Sequence, residues 1–147
     1  MKIHALTLVL LVSLLSGCSA LDNVNQSVNY VSSVTAYIND TSNLAQQLPD
    51  LTQQSLTDPQ AREQLTQQLQ NAQQQINTFN QLEPPAFAKE LHQQLSGYSA
   101  TLGTEVNSLI DQAQAGKLTA QSLNNSQIFQ TIDQINGLLN QFQQLGQ

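Results

Sequence analysis

Residues 58–79 read DPQAREQLTQQLQNAQQQINTF and decide the fold class. Asp58 before Pro59 is a helix start signal, because aspartate caps the first turn and proline suits the first helical position. Apolar residues then recur three or four positions apart, which places them on one helix face: Ala61, Leu65, Leu69, Ala72, Ile76 and Phe79. We expect Leu82 to extend this amphipathic helix to Glu83, where a Pro-Pro pair stops it.

A similar pattern precedes this segment. We expect a first helix to begin after Asp22, which can cap it, and to end or kink at Pro49. A short helical turn over 50–56 can follow. The expected core stripe is Val24, Val28, Val31, Val34, Ile38, Ala45 and Leu48, widened by Tyr30, Tyr37 and Leu44.

Two more periodic segments follow it. The third helix is predicted to open near Pro85 or Ala86 and to end at Gly116, a natural C-cap. Its stripe is Phe87, Leu91, Leu95, Tyr98, Leu102, Val106, Leu109 and Ala113. The fourth is predicted to be capped by Thr119, with 124–126 as a candidate break. Its stripe is Ile128, Ile132, Ile135, Leu139, Phe142 and Leu145.

Four helical segments with short connections favour an all-α domain, an antiparallel up-down four-helix bundle spanning residues 22–147. No stretch shows the sustained alternation that is typical of strands. Up-down order places the Glu83-Pro84-Pro85 turn and the C-terminus at the end where the first helix starts. The 49–59 region and the Gly116-Lys117 turn then lie at the opposite end.

The N-terminus has the three regions of a secretory signal. Lys2 supplies the positive charge, and an apolar run from Ala5 to Leu15 follows. This run is shorter than the roughly 20 residues that a membrane-spanning helix needs. It fits a signal peptide over residues 1–17, which is cleaved off.

Leu15-Ser16-Gly17-Cys18 resembles the bacterial lipobox. The resemblance implies cleavage before Cys18, a diacylglyceryl thioether on its sulfur and acylation of its amine, for example with palmitate. Two or three acyl chains anchor a protein stably, with residues 18–21 as a short linker. The alternative is an ordinary secreted protein with a chance cysteine at the cleavage site.

The composition excludes several partners and chemistries. After residue 17 the chain keeps three basic residues against ten carboxylates, a formal charge of −7, so nucleic acid is an unsuitable partner. Cys18 is the only cysteine, so no disulfide can form within the chain. The sequence is glutamine-rich, with 26 Gln and 13 Asn. These amides alternate with spaced apolar residues, so we interpret them as the solvent-facing side of the helices.

The chain lacks the residue groups that common enzymes need, and we expect no enzymatic activity and no cofactor. One histidine, His92, remains after the signal, which makes a structural zinc site implausible. Glu90 and His92 are two positions apart, so they diverge on a helix and cannot form a di-iron pair. No phosphate-binding glycine loop is present.

Four side chains are candidate ligand contacts. His92 is either a pH-sensing or ligand-contacting group or a boundary histidine bonded to the neighbouring turn. Tyr30, Tyr37 and Tyr98 either line a pocket or belong to the core. The Glu83–Phe87 segment is either a recognition turn or simple helix punctuation.

Several segments resemble the uncharacterised small lipoproteins of Bacillus-type bacteria, the YjhA-like proteins with a domain of unknown function. They are Asn29-Tyr30-Val31, Tyr37-Ile38-Asn39, Asp58-Pro59, Leu82-Glu83-Pro84-Pro85 with Leu91-His92, and the ending Leu138-Leu139-Asn140 to Gln144-Leu145-Gly146-Gln147. The resemblance covers essentially the whole chain. It implies a Gram-positive cell and the outer face of its cytoplasmic membrane, and it transfers no active site.

Two functions fit these features. The first is a non-enzymatic helical module, held at the membrane by lipid on Cys18, that binds an envelope protein or other envelope component. The second is a carrier of a small apolar ligand, a lipid or a peptide between its helices. A cavity among the three tyrosines would favour the carrier, and a packed interior with an exposed apolar patch would favour the module.

Overall fold

The computed structural model describes residues 18–146, with side chains from residue 25 onward. The predicted signal peptide, residues 1–17, lies outside the described residues. All regular elements of the described chain are helical: α1 (Cys18–Ser55), α2 (Pro59–Phe79), a 3-10 turn (Ala86–Ala88), α3 (Lys89–Gln114), α4 (Ala120–Asn125), α5 (Ile128–Asn136) and α6 (Leu139–Leu145). The predicted all-α class is confirmed.

Helix α1 is longer than predicted at both ends. It begins at Cys18 instead of after Asp22, and it continues through Pro49 to Ser55. Proline removes one backbone donor and usually breaks a helix. Here Pro49 is exposed, while Leu48 beside it is fully buried. Core packing on both sides of the proline therefore holds the helix together.

Helix α2 begins as predicted and ends earlier. The Asp58 carboxylate accepts a 2.8 Å hydrogen bond from the Gln60 backbone N–H, which confirms the N-cap. The helix ends at Phe79, four residues before the predicted end at Glu83. Leu82 still packs against the core, but from the following turn.

The start of α3 differs from the predicted stripe. A 3-10 turn precedes the helix and rotates the chain, so that Ala88 is buried and Phe87 is 46% exposed. The expectation that Phe87 begins the core stripe is wrong. Val28, expected in the α1 stripe, is also exposed.

The predicted fourth helix is three short ones. Thr119 and Ser122 cap α4 through a reciprocal capping box, which confirms the predicted start. The chain breaks at Ser126, within the predicted break, and again at Gly137-Leu138, where no break was predicted. A regular four-helix bundle therefore stays a prediction.

Side-chain contacts give the direction of each helix. Tyr37 stacks on Phe79 while the start of α2 returns to the end of α1, so these helices run in opposite directions. Helix α3 returns along α2, and α5 and α6 pack on α1. The Pro-Pro turn approaches Gln26, and Gly146 lies beside Val31. Both are near the beginning of α1, the end at which up-down order places them.

The interior is a single apolar cluster contributed by every helix. Its largest fully buried side chains include Phe79, Phe142, Ile38, Leu48, Leu65 and Leu102. Each such side chain contributes about 1.5–3 kcal/mol when it leaves water. None of the described helices is both long enough and apolar enough to cross a membrane.

Candidate functional site

Cys18, the predicted lipidation site, is the first residue of α1. The helix runs without interruption from this residue to Tyr30, the first of its described side chains that belongs to the core cluster. At 1.5 Å per residue, the distance along the helix is about 18 Å. An acyl chain on Cys18 would therefore connect to the core through a helix instead of a loose linker.

Tyr30 and His92 form a direct pair between α1 and α3. The Tyr30 hydroxyl lies 2.9 Å from His92 Nδ1, and the rings are 5.9 Å apart. Tyr30 is buried, and His92 is half-buried. His92 is therefore hydrogen-bonded to α1. The alternative interpretation was a boundary histidine bonded to the neighbouring turn.

Burial keeps both members of this pair neutral at pH 7. It lowers the pKa of His92 below its ordinary value of 6.5 and raises the pKa of Tyr30 to about 12. We assign the Tyr30 O–H as the donor and His92 Nδ1 as the acceptor, because a buried hydroxyl needs an acceptor for its proton. The ring proton of His92 then lies on Nε2.

Tyr37 lies about two helical turns further along α1 and is more enclosed than Tyr30. Its hydroxyl donates to Ser99 Oγ at 2.8 Å, and its ring stacks on Phe79 with centroids 4.7 Å apart. Burial raises the pKa of Tyr37 to about 12. Phe79 also contacts His92, with ring centroids 5.0 Å apart. Phe79 therefore contacts both Tyr37 and His92, two candidate residues that the sequence analysis had treated separately.

Of the three tyrosines, Tyr37 borders a cavity on the surface of the described helices. Tyr98 is half-buried against the core, and neither Tyr98 nor Tyr30 lines the cavity that Tyr37 borders. That cavity lies instead on the outer seam between α1 and α2. A pocket lined by all three tyrosines therefore stays a prediction.

The α1/α2 groove, as we name this seam, has two adjoining parts. The apolar part has a volume of about 220 Å³ and is lined by Ser33, Ala36, Tyr37, Asp40, Gln75, Thr78, Phe79 and Leu82. The amide part has a volume of about 190 Å³ and is lined by Asp40, Asn43, Leu44, Gln47, Gln68, Asn71, Ala72 and Gln75. Asp40 and Gln75 belong to both parts and mark the boundary between them.

Sequence reasoning missed this groove. On each helix its residues combine members of the apolar stripe, such as Tyr37 and Phe79, with polar or small residues next to that stripe. The signal was the run of small and amide residues flanking the core face, and a high glutamine content throughout made this run inconspicuous.

No group of three or more His, Cys, Asp or Glu residues within the described range is arranged to hold a metal ion. The expectation of a non-enzymatic protein stays a prediction.

Comparison with known proteins identifies the family. Residues 30–145 match the model of a family of unknown function, DUF6376. The chain belongs to this family. It is also 34% identical over 144 residues to a Bacillus subtilis (strain 168) protein named uncharacterized lipoprotein YybP, covering 97% of both chains. No solved structure matches the chain.

The family match confirms the resemblance to an uncharacterised lipoprotein family at that general level. The name YjhA-like is not confirmed. Since neither the family nor the relative carries a described activity, the match brings no functional residues to this chain.

Proposed function

We propose that this DUF6376 member is an extracytoplasmic lipoprotein, anchored through acyl chains on Cys18, that binds an envelope protein or envelope component without catalysing a reaction. The observation that carries the anchor is the lipoprotein relative, which aligns with 97% of this chain. The Leu-Ser-Gly-Cys motif at 15–18 supplies the residue. In a Gram-positive cell this places the domain at the outer face of the cytoplasmic membrane.

Anchoring would itself promote binding. Tethering confines the domain to a thin layer and raises its effective concentration toward any other molecule held there. The acidic surface rules out attachment by charge to anionic lipid, so the acyl chains must supply the membrane affinity. The packed interior among the described helices supports a binding surface over an internal carrier cavity.

A carrier of a small apolar ligand is the second candidate. The apolar part of the α1/α2 groove favours it, because about 220 Å³ exceeds the roughly 150 Å³ cavity that accepts benzene in a protein core. The groove is on the outside of the helix pair, however, and it does not involve Tyr30 or Tyr98.

Crosslinking in the native cell, followed by mass spectrometry, tests the proposal. Anchored wild-type protein should crosslink reproducibly to a specific envelope molecule, and the Cys18→Ala variant should lose that crosslink when it leaves the membrane. Co-purification of a lipid with both forms, without a crosslinked partner, would support the carrier instead. Turnover of a co-purified molecule by the isolated protein would contradict the non-enzymatic role.

A further inference from the structure

We propose that the α1/α2 groove binds an extended peptide segment in which a basic side chain pairs with Asp40 and a neighbouring apolar side chain fills the apolar part. This inference rests on the proposed binding role and names the chemistry of the partner. It does not require the lipid anchor.

The charge of the groove selects a cation. Asp40 is the one charged residue among those lining the two parts. Gln75 Nε2 donates to Asp40 Oδ2 at 3.0 Å, and within the described chain Oδ1 has no hydrogen-bond partner. None of the three described basic residues, Arg62, Lys89 and Lys117, lines the groove. A lysine or arginine from a ligand would supply the missing counter-charge.

The apolar part selects the neighbouring side chain. Ala36, Phe79 and Leu82 form apolar walls beside Asp40. A volume of about 220 Å³ suits one large apolar side chain such as leucine or phenylalanine. Because the Asp40 carboxylate adjoins the apolar walls, the basic and the apolar side chain must be close together in the sequence of the bound peptide.

The amide part favours a peptide over a small amine. The side chains of Asn43, Gln47, Gln68 and Asn71 make no hydrogen bond within the described part of the protein. Amides both donate and accept, which matches the N–H and C=O groups of an extended backbone. From Ser33 to Gln47 the groove follows α1 for about 21 Å, the length of about six extended residues.

A random hexapeptide phage library tests the proposal on the full lipidated protein in phosphatidylcholine nanodiscs, with binders to empty nanodiscs subtracted. The expected selection is for Lys or Arg within two positions of a large apolar residue. In a synthetic copy of the best peptide, norleucine for Lys or citrulline for Arg should weaken binding about two- to fivefold. Absence of enrichment, or enrichment of peptides without a basic residue, would overturn the proposal.

Two variants locate the binding. Asp40→Asn should weaken peptide binding as much as removal of the peptide's basic charge does. Asp111→Asn makes an equal charge change at an exposed site on α3 and should not weaken binding. Ala36→Met should fill the apolar part and abolish binding, whereas Ala100→Met on exposed α3 surface should not. Ala36 is exposed, so the variant should fold. Equal binding by wild type and Asp40→Asn would refute the groove, while a partner crosslinked in the cell would still support the proposed binding role.

Discussion

At the scale of single residues, the Tyr30–His92 pair, like Tyr37–Ser99, is a side-chain hydrogen bond between α1 and α3. It joins positions 62 residues apart through one hydrogen bond, at the end of the domain where α1 begins. With Tyr30 as the donor, this bond uses the Nδ1 lone pair that is present only on a neutral ring. Protonation of His92 would therefore end donation in this direction.

Removing the tyrosine hydroxyl should change the titration of His92. Donation from Tyr30 stabilises the neutral ring, so Tyr30→Phe should raise the pKa of His92 toward 6.5. NMR titration of the ring protons measures this shift, since His92 is the one histidine after residue 17. Tyr98→Phe is the control and should leave the His92 pKa unchanged. An unchanged pKa in Tyr30→Phe would show that the bond is absent in solution.

The lowered pKa of His92 also predicts a pH-dependent stability. Below pH 6.5 the unfolded chain binds a proton that the folded chain resists, so the free energy of unfolding should decrease as the pH falls below 6.5 toward the folded-state pKa. The His92→Gln variant should lose this component and show a flatter profile. Urea unfolding of both proteins between pH 7 and pH 5 tests it, and parallel profiles would contradict it.

At the scale of elements, helix ends depend on a few residues with defined backbone conformations. Gly116 ends the α3 turn with φ of +64°, a region that side chains disfavour. Arg62 approaches it and donates to the Ser55 carbonyl at 3.2 Å, which joins the ends of α1, α2 and α3. Gly97, in contrast, is inside α3 with open space around it.

These two glycines should respond in opposite directions to the same substitution. Gly116→Ala should lower the free energy of unfolding by about 1–2 kcal/mol, because alanine is strained in a left-handed conformation. Gly97→Ala should raise it by about 0.5–1 kcal/mol through helix propensity. Thermal and urea unfolding measure both. A stabilising Gly116→Ala would mean that the turn has another conformation.

The sequence predicted elements where the signal is local and failed where tertiary packing decides. The Asp58 and Thr119 caps and the α2 stripe were readable, because capping and periodicity act within a few residues. Of the two outcomes predicted for Pro49, an end of the helix is wrong, because core contacts on either side override its local effect, while a kink stays a prediction. Phe87 was misplaced because it lies in the 3-10 turn before α3 and does not share the buried helix face of Leu91 and Leu95. The periodicity of the sequence does not indicate that turn.

The candidate site could likewise be predicted only in part, because its contacts join different helices. Tyr30, Tyr37 and His92 were recognisable as unusual side chains on helical stripes, but their partners, Ser99 and Phe79, come from other helices. The groove required knowledge of which helices are neighbours, and its amide residues look like any other polar surface in this chain.

At the scale of the whole molecule, one core should account for most of the stability. Phe142 is fully buried, and Phe142→Ala should destabilise the domain by about 3–5 kcal/mol. Phe87→Ala removes the same group from an exposed position and should change stability by less than about 0.5 kcal/mol. Chemical unfolding of the two variants compares them. Similar losses in the free energy of unfolding would show that Phe87 is buried in the core. They would contradict its exposed position at the start of α3.

The anchor and the helical domain are separable in this account. We propose that residues 1–17 direct export and that Cys18 carries the lipid; among the described side chains, those that α1 contributes to the core cluster start at Tyr30. The lipid should therefore fix where the domain lies without contributing to its fold.

The most direct test is fractionation of cells that express wild-type or Cys18→Ala protein, with intact-mass measurement and circular dichroism of each. We predict that the wild type is in the membrane fraction as a chain starting at an acylated Cys18. We predict that Cys18→Ala is released, with unchanged helix content and melting temperature. Membrane retention of Cys18→Ala, or wild-type protein without acyl mass, would contradict the account.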